Sequence, residues 1–233
     1  MISVLRGISI RIPMMIYGMA IDIGEDVDID TFINNVDSQS WVEFMPKGVT
    51  KGKFKSFAKY YDADVFIEAG RIIRRKVKAL DLLDPIQRAE GLATIFGSFK
   101  NPDKETVLTP WRVVNIHLGK TIGGLSFFDE TYTDTTVDGV PANHWVKTDE
   151  TDSVFQDNVH ILEINSKTGL YPLYAAISLY KLAFDKLNAT QAGKLTVADH
   201  EELCQSLLQK NIFVVVHTPM ATTITYSTLA GSR

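Results

Sequence analysis

Two short apolar runs near the carboxyl end of the sequence constrain the fold most, because two helical patterns separate them. Residues 159–164 and 211–216 are rich in Val and Ile, which favour strands. Between them, residues 171–187 are helical in pattern, and Thr196 followed by Asp199 predicts the start of a second helix. A strand, two helices and a strand in this order predict a parallel α/β unit.

The turn that follows the first run is the best candidate for a ligand site. Glu163 lies near the end of the strand, Gly169 in the loop and Pro172 in the first turn of the next helix. Ligands of parallel sheets bind beside the carboxyl ends of strands, where glycine permits a close backbone approach. The first amides of the helix suit a carboxylate or a phosphate. The same residues also fit an ordinary strand-to-helix connection, and the dinucleotide fingerprint Gly-x-Gly-x-x-Gly is absent.

Upstream of this unit the sequence predicts mainly helices. The periodic patterns predict helices over residues 53–61, 63–80, 85–96 and 111–118. Asp62 and Thr109 are the candidate N-caps of the second and fourth. Alternating Ile, Arg and Met side chains predict a strand over residues 8–17, and frequent Gly, Asp and Thr predict loops over 123–157.

The turn at 161–174 resembles motif I of the S-adenosylmethionine-dependent methyltransferases, in which an acidic residue and three glycines follow the first strand. Upstream, Thr109-Pro110 at a helix start resembles motif X of the amino-methyltransferases, which helps to hold the methionine end of the cofactor. The resemblance implies that S-adenosylmethionine binds at Thr109, Pro110, Glu163, Asn165, Lys167 and Gly169. Asn165 and Lys167 stand where the family usually has glycine. We expect their side chains either to crowd the amino-acid end of the cofactor or, in the case of Lys167, to pair with its carboxylate.

Nearly the whole chain is similar to the middle of fused restriction–modification proteins, which join a helicase to an N6-adenine DNA methyltransferase. The runs that carry this resemblance are 9–13, 41–50, 59–66 and 91–96. It implies an α/β chain with three parts: the tail of a helicase-like domain, a helical connector, and the first part of a Rossmann-like methyltransferase fold with an incomplete parallel sheet. Their expected boundaries are 1–30, 31–105 and 106–233. The implied partners are DNA and the remainder of the same polypeptide, in the cytoplasm.

The catalytic motif of the adenine methyltransferases does not occur in this sequence. That motif is an Asn/Asp-Pro-Pro-Tyr/Phe loop that holds the flipped base, and the sequence contains no Pro-Pro pair. We therefore expect a chain that binds the cofactor, carries no catalytic residue and methylates nothing alone. The alternative is a non-catalytic module that couples the helicase to the methyltransferase and contacts DNA.

Positive charge is concentrated in residues 47–78, which hold ten Lys and Arg residues against three acidic ones, although the net charge of the chain is −4. Arg71, Arg74, Arg75 and Lys78 fall at spacings that place them on one face of a helix. This face predicts contact with DNA phosphates. The alternative interpretation is a solvated charged surface or a contact with an acidic surface of another domain.

The remaining composition excludes several other classes of protein. Cys204 is the single cysteine, so neither an intrachain disulfide nor a thiolate metal cluster is possible. The five histidines lack metal-ligand spacing. No apolar run reaches the roughly 18 residues that a membrane span needs, so we expect no membrane partner.

Overall fold

The computed structural model describes residues 2–19, 28–60, 62–99, 108–127, 143–191 and 195–231. Within these ranges the protein is an α/β molecule made mostly of helices. The helices are α1 (Ile2–Gly18), α2 (Ile29–Asn35), α3 (Ser38–Phe44), α4 (Lys51–Phe57), α5 (Ala63–Leu80), α6 (Pro85–Gly97), α7 (Trp111–Thr121), α8 (Thr151–Val154), α9 (Leu170–Gln191), α10 (Val197–Asn211) and α11 (Pro219–Ala230).

The strands of the described residues form two separate pairs. β1 (Gly124–Ser126) runs antiparallel to β2 (His144–Val146), and β3 (Ile161–Ile164) runs parallel to β4 (Ile212–Val215). Since α9 and α10 connect β3 to β4, the predicted unit of strand, two helices and strand is confirmed.

The prediction of loops over 123–157 is wrong in part, because β1, β2 and α8 lie there. Strands of three residues are too short to show the alternation that identifies a strand in a sequence. Residues 128–142 of this region lie outside the described residues.

A helix, α1, replaces the strand that was predicted over residues 8–17, so that prediction is wrong. Ile8, Ile12 and Met15 are buried at helical spacing, and Ile16 is buried beside them. A helix that is apolar around its whole circumference is a core helix. Its sequence carries no clear helical periodicity, and a short apolar segment cannot then be assigned by pattern alone.

The predicted helix caps have three different outcomes. Thr196 accepts from the Asp199 backbone N–H and the Asp199 carboxylate accepts in return, which confirms the cap of α10. Asp62 occupies the N-cap position of α5 without a side-chain hydrogen bond. Thr109 is not the cap of α7, because Pro110 takes that position. The side chain of Thr109 instead lines a cavity near the end of β3.

Two hydrophobic clusters form the core of the described part of the chain, and α9 contributes to both. Residues 172–180 of α9 are all buried. The core cluster includes Ile8 of α1, Phe54 of α4, Tyr174 of α9 and Ile224 of α11. All three predicted parts of the chain therefore contribute to the same cluster, and the boundaries at 30 and 105 remain predictions.

The two faces of the parallel pair differ. Ile161, Ile212 and Val214 pack towards α9, whereas Leu162 and Ile164 on the other face are 58% and 67% exposed. Among the described helices, none combines the length and the hydrophobicity that crossing a membrane requires.

The side chain of Arg88 on α6 joins three parts of the fold. Its Nε donates to Asp81 Oδ1 over 2.9 Å, and its Nη1 donates to the Thr228 carbonyl over 2.6 Å. Its Nη2 donates to the Ser227 carbonyl. The Ser227 carbonyl also accepts from the N–H of Gly231, the C-cap of α11, whereas the Thr228 carbonyl belongs to the last turn, whose carbonyls lack partners within a helix. The Arg88 cation also interacts favourably with the negative end of the helix dipole.

Replacing Arg88 with Met should destabilise the protein by about 3–5 kcal/mol, because the partly buried Asp81 carboxylate and the Thr228 carbonyl lose their donor. Urea denaturation measures this loss. The matched control is Arg75→Met, which breaks the exposed pair with Glu68 and should cost about 0–1 kcal/mol. Equal losses in the two variants would contradict the role given to Arg88.

Candidate functional site

The turn between β3 and α9 is held in place by hydrogen bonds to its neighbours. The backbone N–H groups of Asn165 and Ser166 both donate to the Val215 carbonyl, over 3.0 and 3.1 Å, which ties the ends of β3 and β4 together. The Gly169 N–H donates to Ser166 Oγ over 3.1 Å. Asn165 has a φ of 70°, a left-handed conformation that Asn adopts more readily than most residues.

A cavity of about 240 Å³ lies over this turn at the N-terminus of α9. Five of the six residues that the sequence predicts for the cofactor line it together: Thr109, Glu163, Asn165, Lys167 and Gly169. Pro110, the sixth, is the N-cap residue of α7 and is not among the lining residues. The structure thus brings together two segments that lie far apart in the sequence.

The cavity contains a carboxylate whose charge is costly. Glu163 is half-buried, and burial raises its pKa above the ordinary 4.5. Burial also raises the pKa of Tyr171, and the charge of Glu163 adds to that shift. The Tyr171 hydroxyl and His117 Nδ1 are joined by a hydrogen bond of 2.8 Å. A cation placed beside Glu163 would relieve the cost of its charge.

Lys167 has a partner from a distant segment. Its Nζ lies 3.9 Å from Oε1 of Glu43 on α3, and the Thr218 hydroxyl donates to Oε2 of the same carboxylate. Thr218 is the N-cap of α11 and lies three residues beyond the end of β4. A pair with the cofactor's carboxylate was one of the two expectations for Lys167, and in the structure Lys167 lies beside a carboxylate of the protein.

The backbone that approaches Gly169 belongs to α11. Gly169 has a φ of 77°. A Cβ at this position would lie 3.0 Å from Thr228 Cβ and 3.2 Å from the Thr225 backbone. Glycine is therefore required here both by the left-handed turn and by helix packing.

Several lining residues were not predicted from the sequence. Tyr171, Ser166 and Thr168 line the cavity, and their position beside Glu163 and Gly169 is the signal that could have identified them. Glu43 gave no such signal, because its bond to Thr218 spans 175 residues of sequence.

The predicted basic face lies on α5, and three of its four side chains contact other groups of the protein. Arg74 Nη2 donates to the carbonyls of Ile16 and Met19, the latter over 2.9 Å, at the end of α1. Arg71 and Arg75 lie 3.7 and 2.5 Å from the Glu68 carboxylate. Lys78 is exposed. The contact of these four residues with DNA remains a prediction.

A comparison of the chain with protein-family models, with curated proteins and with solved structures finds no significant match.

Gly169→Ala should lower the free energy of unfolding by about 2–5 kcal/mol, since strain at a positive φ adds to overpacking against α11. Gly48→Ala is the matched control, because Gly48 has a φ of 79° but no atom within 4 Å of the added Cβ. Gly48→Ala should lower the free energy of unfolding only by the backbone strain, about 1–2 kcal/mol. Urea denaturation compares the two, and an equal loss would exclude the close contact with α11.

Glu163→Gln should stabilise the protein at neutral pH relative to the wild type. Because the folded pKa of Glu163 is raised, its contribution to stability is full below 4.5 and is lost as the pH rises through the folded pKa. The gain from Gln should therefore vanish in acid. Thermal unfolding between acid and neutral pH measures it, with the exposed Glu202→Gln as control. A gain that does not depend on pH would contradict this assignment.

Proposed function

We propose that this chain provides the S-adenosylmethionine-binding part of an N6-adenine DNA methyltransferase of the restriction–modification type. In this proposal the β3–α9–α10–β4 unit begins a Rossmann-like fold, and the protein acts in the cytoplasm. The observation that carries the proposal is the shared cavity. Thr109, from the segment that resembles motif X, and Glu163 and Gly169, from the segment that resembles motif I, line the same 240 Å³ space.

The chemistry of the cavity fits the amino-acid end of the proposed cofactor. That end carries an ammonium and a carboxylate, and the bound cofactor supplies the methyl group for transfer. The Glu163 carboxylate is half-buried with a raised pKa, so it would gain by accepting from an ammonium group. The first backbone amides of α9 face a region where a carboxylate is stabilised by hydrogen bonds and by the helix dipole. Lys167 adds a positive charge at the same cavity.

The chain's own residues would bind and orient the cofactor but would not complete the methyl transfer. The turn at 165–169 is fixed by bonds to Val215 and Ser166, so the cavity is formed before binding. A pre-formed site lowers the entropic cost of binding. The sequence has no Pro-Pro pair, so the loop that holds the adenine would have to come from another segment of the enzyme.

The second candidate function is a non-catalytic coupling module. The observation that favours it is the contact between Lys167 and Glu43, because the cation nearest to the expected cofactor carboxylate already has a carboxylate beside it. In that case the turn would serve to join α3 to the α/β unit, and the cavity would bind no cofactor.

Calorimetric titration with S-adenosylmethionine tests the proposal. We expect saturable binding by the wild type and a loss of at least about tenfold in affinity for Glu163→Gln, because the amide removes the charge that an ammonium would pair with. Glu202→Gln, on the exposed surface of α10, should bind as the wild type does. Since Gln at 163 should not weaken the fold at neutral pH, a loss of binding would not reflect unfolding.

A folded wild-type chain that gives no heat and no thermal shift with about 1 mM cofactor would reject the proposal and favour the coupling module.

A further inference from the structure

Another cavity lies between helices, apart from the candidate cofactor cavity. We call it the helix cavity, and its volume is about 450 Å³. Its walls come from the start of α6 and the turn before it, the first half of α9, one side of α10 and the end of α11. None of its lining residues also lines the 240 Å³ cavity over the turn at 165–169.

The walls of the helix cavity are mostly apolar. Leu173, Ala176 and Ile177 of α9 are buried and line it. Leu208 of α10 and Leu229 of α11 line it as well, and both are partly buried against the core cluster that contains Ala176. Cavities of several hundred cubic ångströms with walls of this kind, between packed helices, are where proteins bind small molecules. An apolar ligand there would contact side chains of several helices at once.

The charged groups of the helix cavity already have partners, which favours an uncharged ligand. Asp81 accepts from Arg88 Nε over 2.9 Å, and Arg88 Nη1 donates to the Thr228 carbonyl. Asp84 accepts from two backbone N–H groups in the first turn of α6. Glu201 is exposed on α10, where water solvates its charge. Three carboxylates against one guanidinium disfavour an anion, and the two carboxylates beside α6 have donors without a cationic ligand.

Two polar side chains of α10 add hydrogen-bonding capacity to the apolar walls. Burial raises the pKa of the Cys204 thiol to about 11, although the charge of Arg88 acts in the opposite direction. The thiol is therefore uncharged at neutral pH. The His200 side chain also lines the cavity, and its Nδ1 is joined to the Tyr180 hydroxyl by a hydrogen bond of 2.5 Å. The other ring nitrogen, Nε2, can form a hydrogen bond with a polar group of a ligand.

We infer that the helix cavity binds an uncharged, largely apolar small molecule, in which one polar group forms a hydrogen bond with His200 Nε2. This site is separate from the proposed cofactor site and does not depend on the proposed function. Because its walls belong to four helices, a bound molecule would stabilise the packing of α6, α10 and α11 on α9.

Fluorescence titration of the whole chain with N-phenyl-1-naphthylamine tests the inference. This probe is uncharged and aromatic, and its emission rises when it leaves water. We expect saturable binding at one site per chain and a higher melting temperature in the presence of the probe. Anilinonaphthalene sulfonate has the same rings with an added anionic group, and it should bind at least about tenfold more weakly beside the carboxylates of the cavity.

Three variants locate the bound probe. Cys204→Phe places a ring in the helix cavity, and Gln209→Phe is its matched control, because Gln209 is exposed on α10 and does not line the cavity. We expect Cys204→Phe to weaken binding at least about tenfold and Gln209→Phe to change it less than about twofold. Phe213→Ser removes a ring from the exposed face of the β3–β4 pair, another apolar surface, and should leave the affinity unchanged.

Alkylation of Cys204 in the wild type locates the probe without any substitution. Cys204 is the single cysteine, so mass spectrometry of the chain treated with iodoacetamide follows this position alone. A saturating concentration of N-phenyl-1-naphthylamine should slow the reaction at least about tenfold, because the bound probe covers the thiol.

Four results would overturn the inference. They are the absence of saturable binding by the wild type, equal losses in Cys204→Phe and Gln209→Phe, a loss of binding in Phe213→Ser, and alkylation that saturating probe does not slow. Equal or tighter binding of the sulfonate would overturn the assignment to an uncharged ligand. S-adenosylmethionine should not displace the probe, since the two cavities share no lining residue; displacement would assign the helix cavity to the cofactor and overturn the inference.

Discussion

The burial of the first half of α9, residues 172–180, is the constraint on which the rest of the structure depends. All nine of these residues are buried, and each large apolar side chain among them contributes about 1.5–3 kcal/mol when it leaves water. A helix of this kind must be covered all round. The β3–β4 pair, α6, α7, α10 and α11 all pack on it, so the start of α9 has a fixed position relative to each of them.

The packing of these elements on α9 determines the geometry of the candidate site. The turn at 165–169 lies between β3, the end of β4 and the start of α9, with α11 in contact at Gly169. Because α7 also packs on α9, Thr109 is brought to the same cavity as Glu163. A half-buried carboxylate with a raised pKa is the type of group that functional sites concentrate.

Contacts between α3 and α11 join the predicted connector to the candidate site. Glu43 accepts from the Thr218 hydroxyl and lies near Lys167, and Ser40 Oγ accepts from the Met220 N–H over 3.1 Å. A displacement of α3 would therefore change the surroundings of Lys167 directly. This physical connection is compatible with both functions considered above, since either one requires the connector and the α/β unit to be coupled.

Local signals in the sequence determined the parallel unit, the helices from α5 to α7, the Thr196 cap and the residues of the turn. Backbone periodicity, caps and glycine act within a few residues, so a sequence displays them directly. Only the tertiary structure decided that residues 8–17 form a helix, that Arg74 binds the end of α1, that Gly169 meets α11 and that Glu43 reaches Thr218. Those outcomes depend on which surfaces pack together, and packing joins residues whose separation along the chain leaves no local pattern.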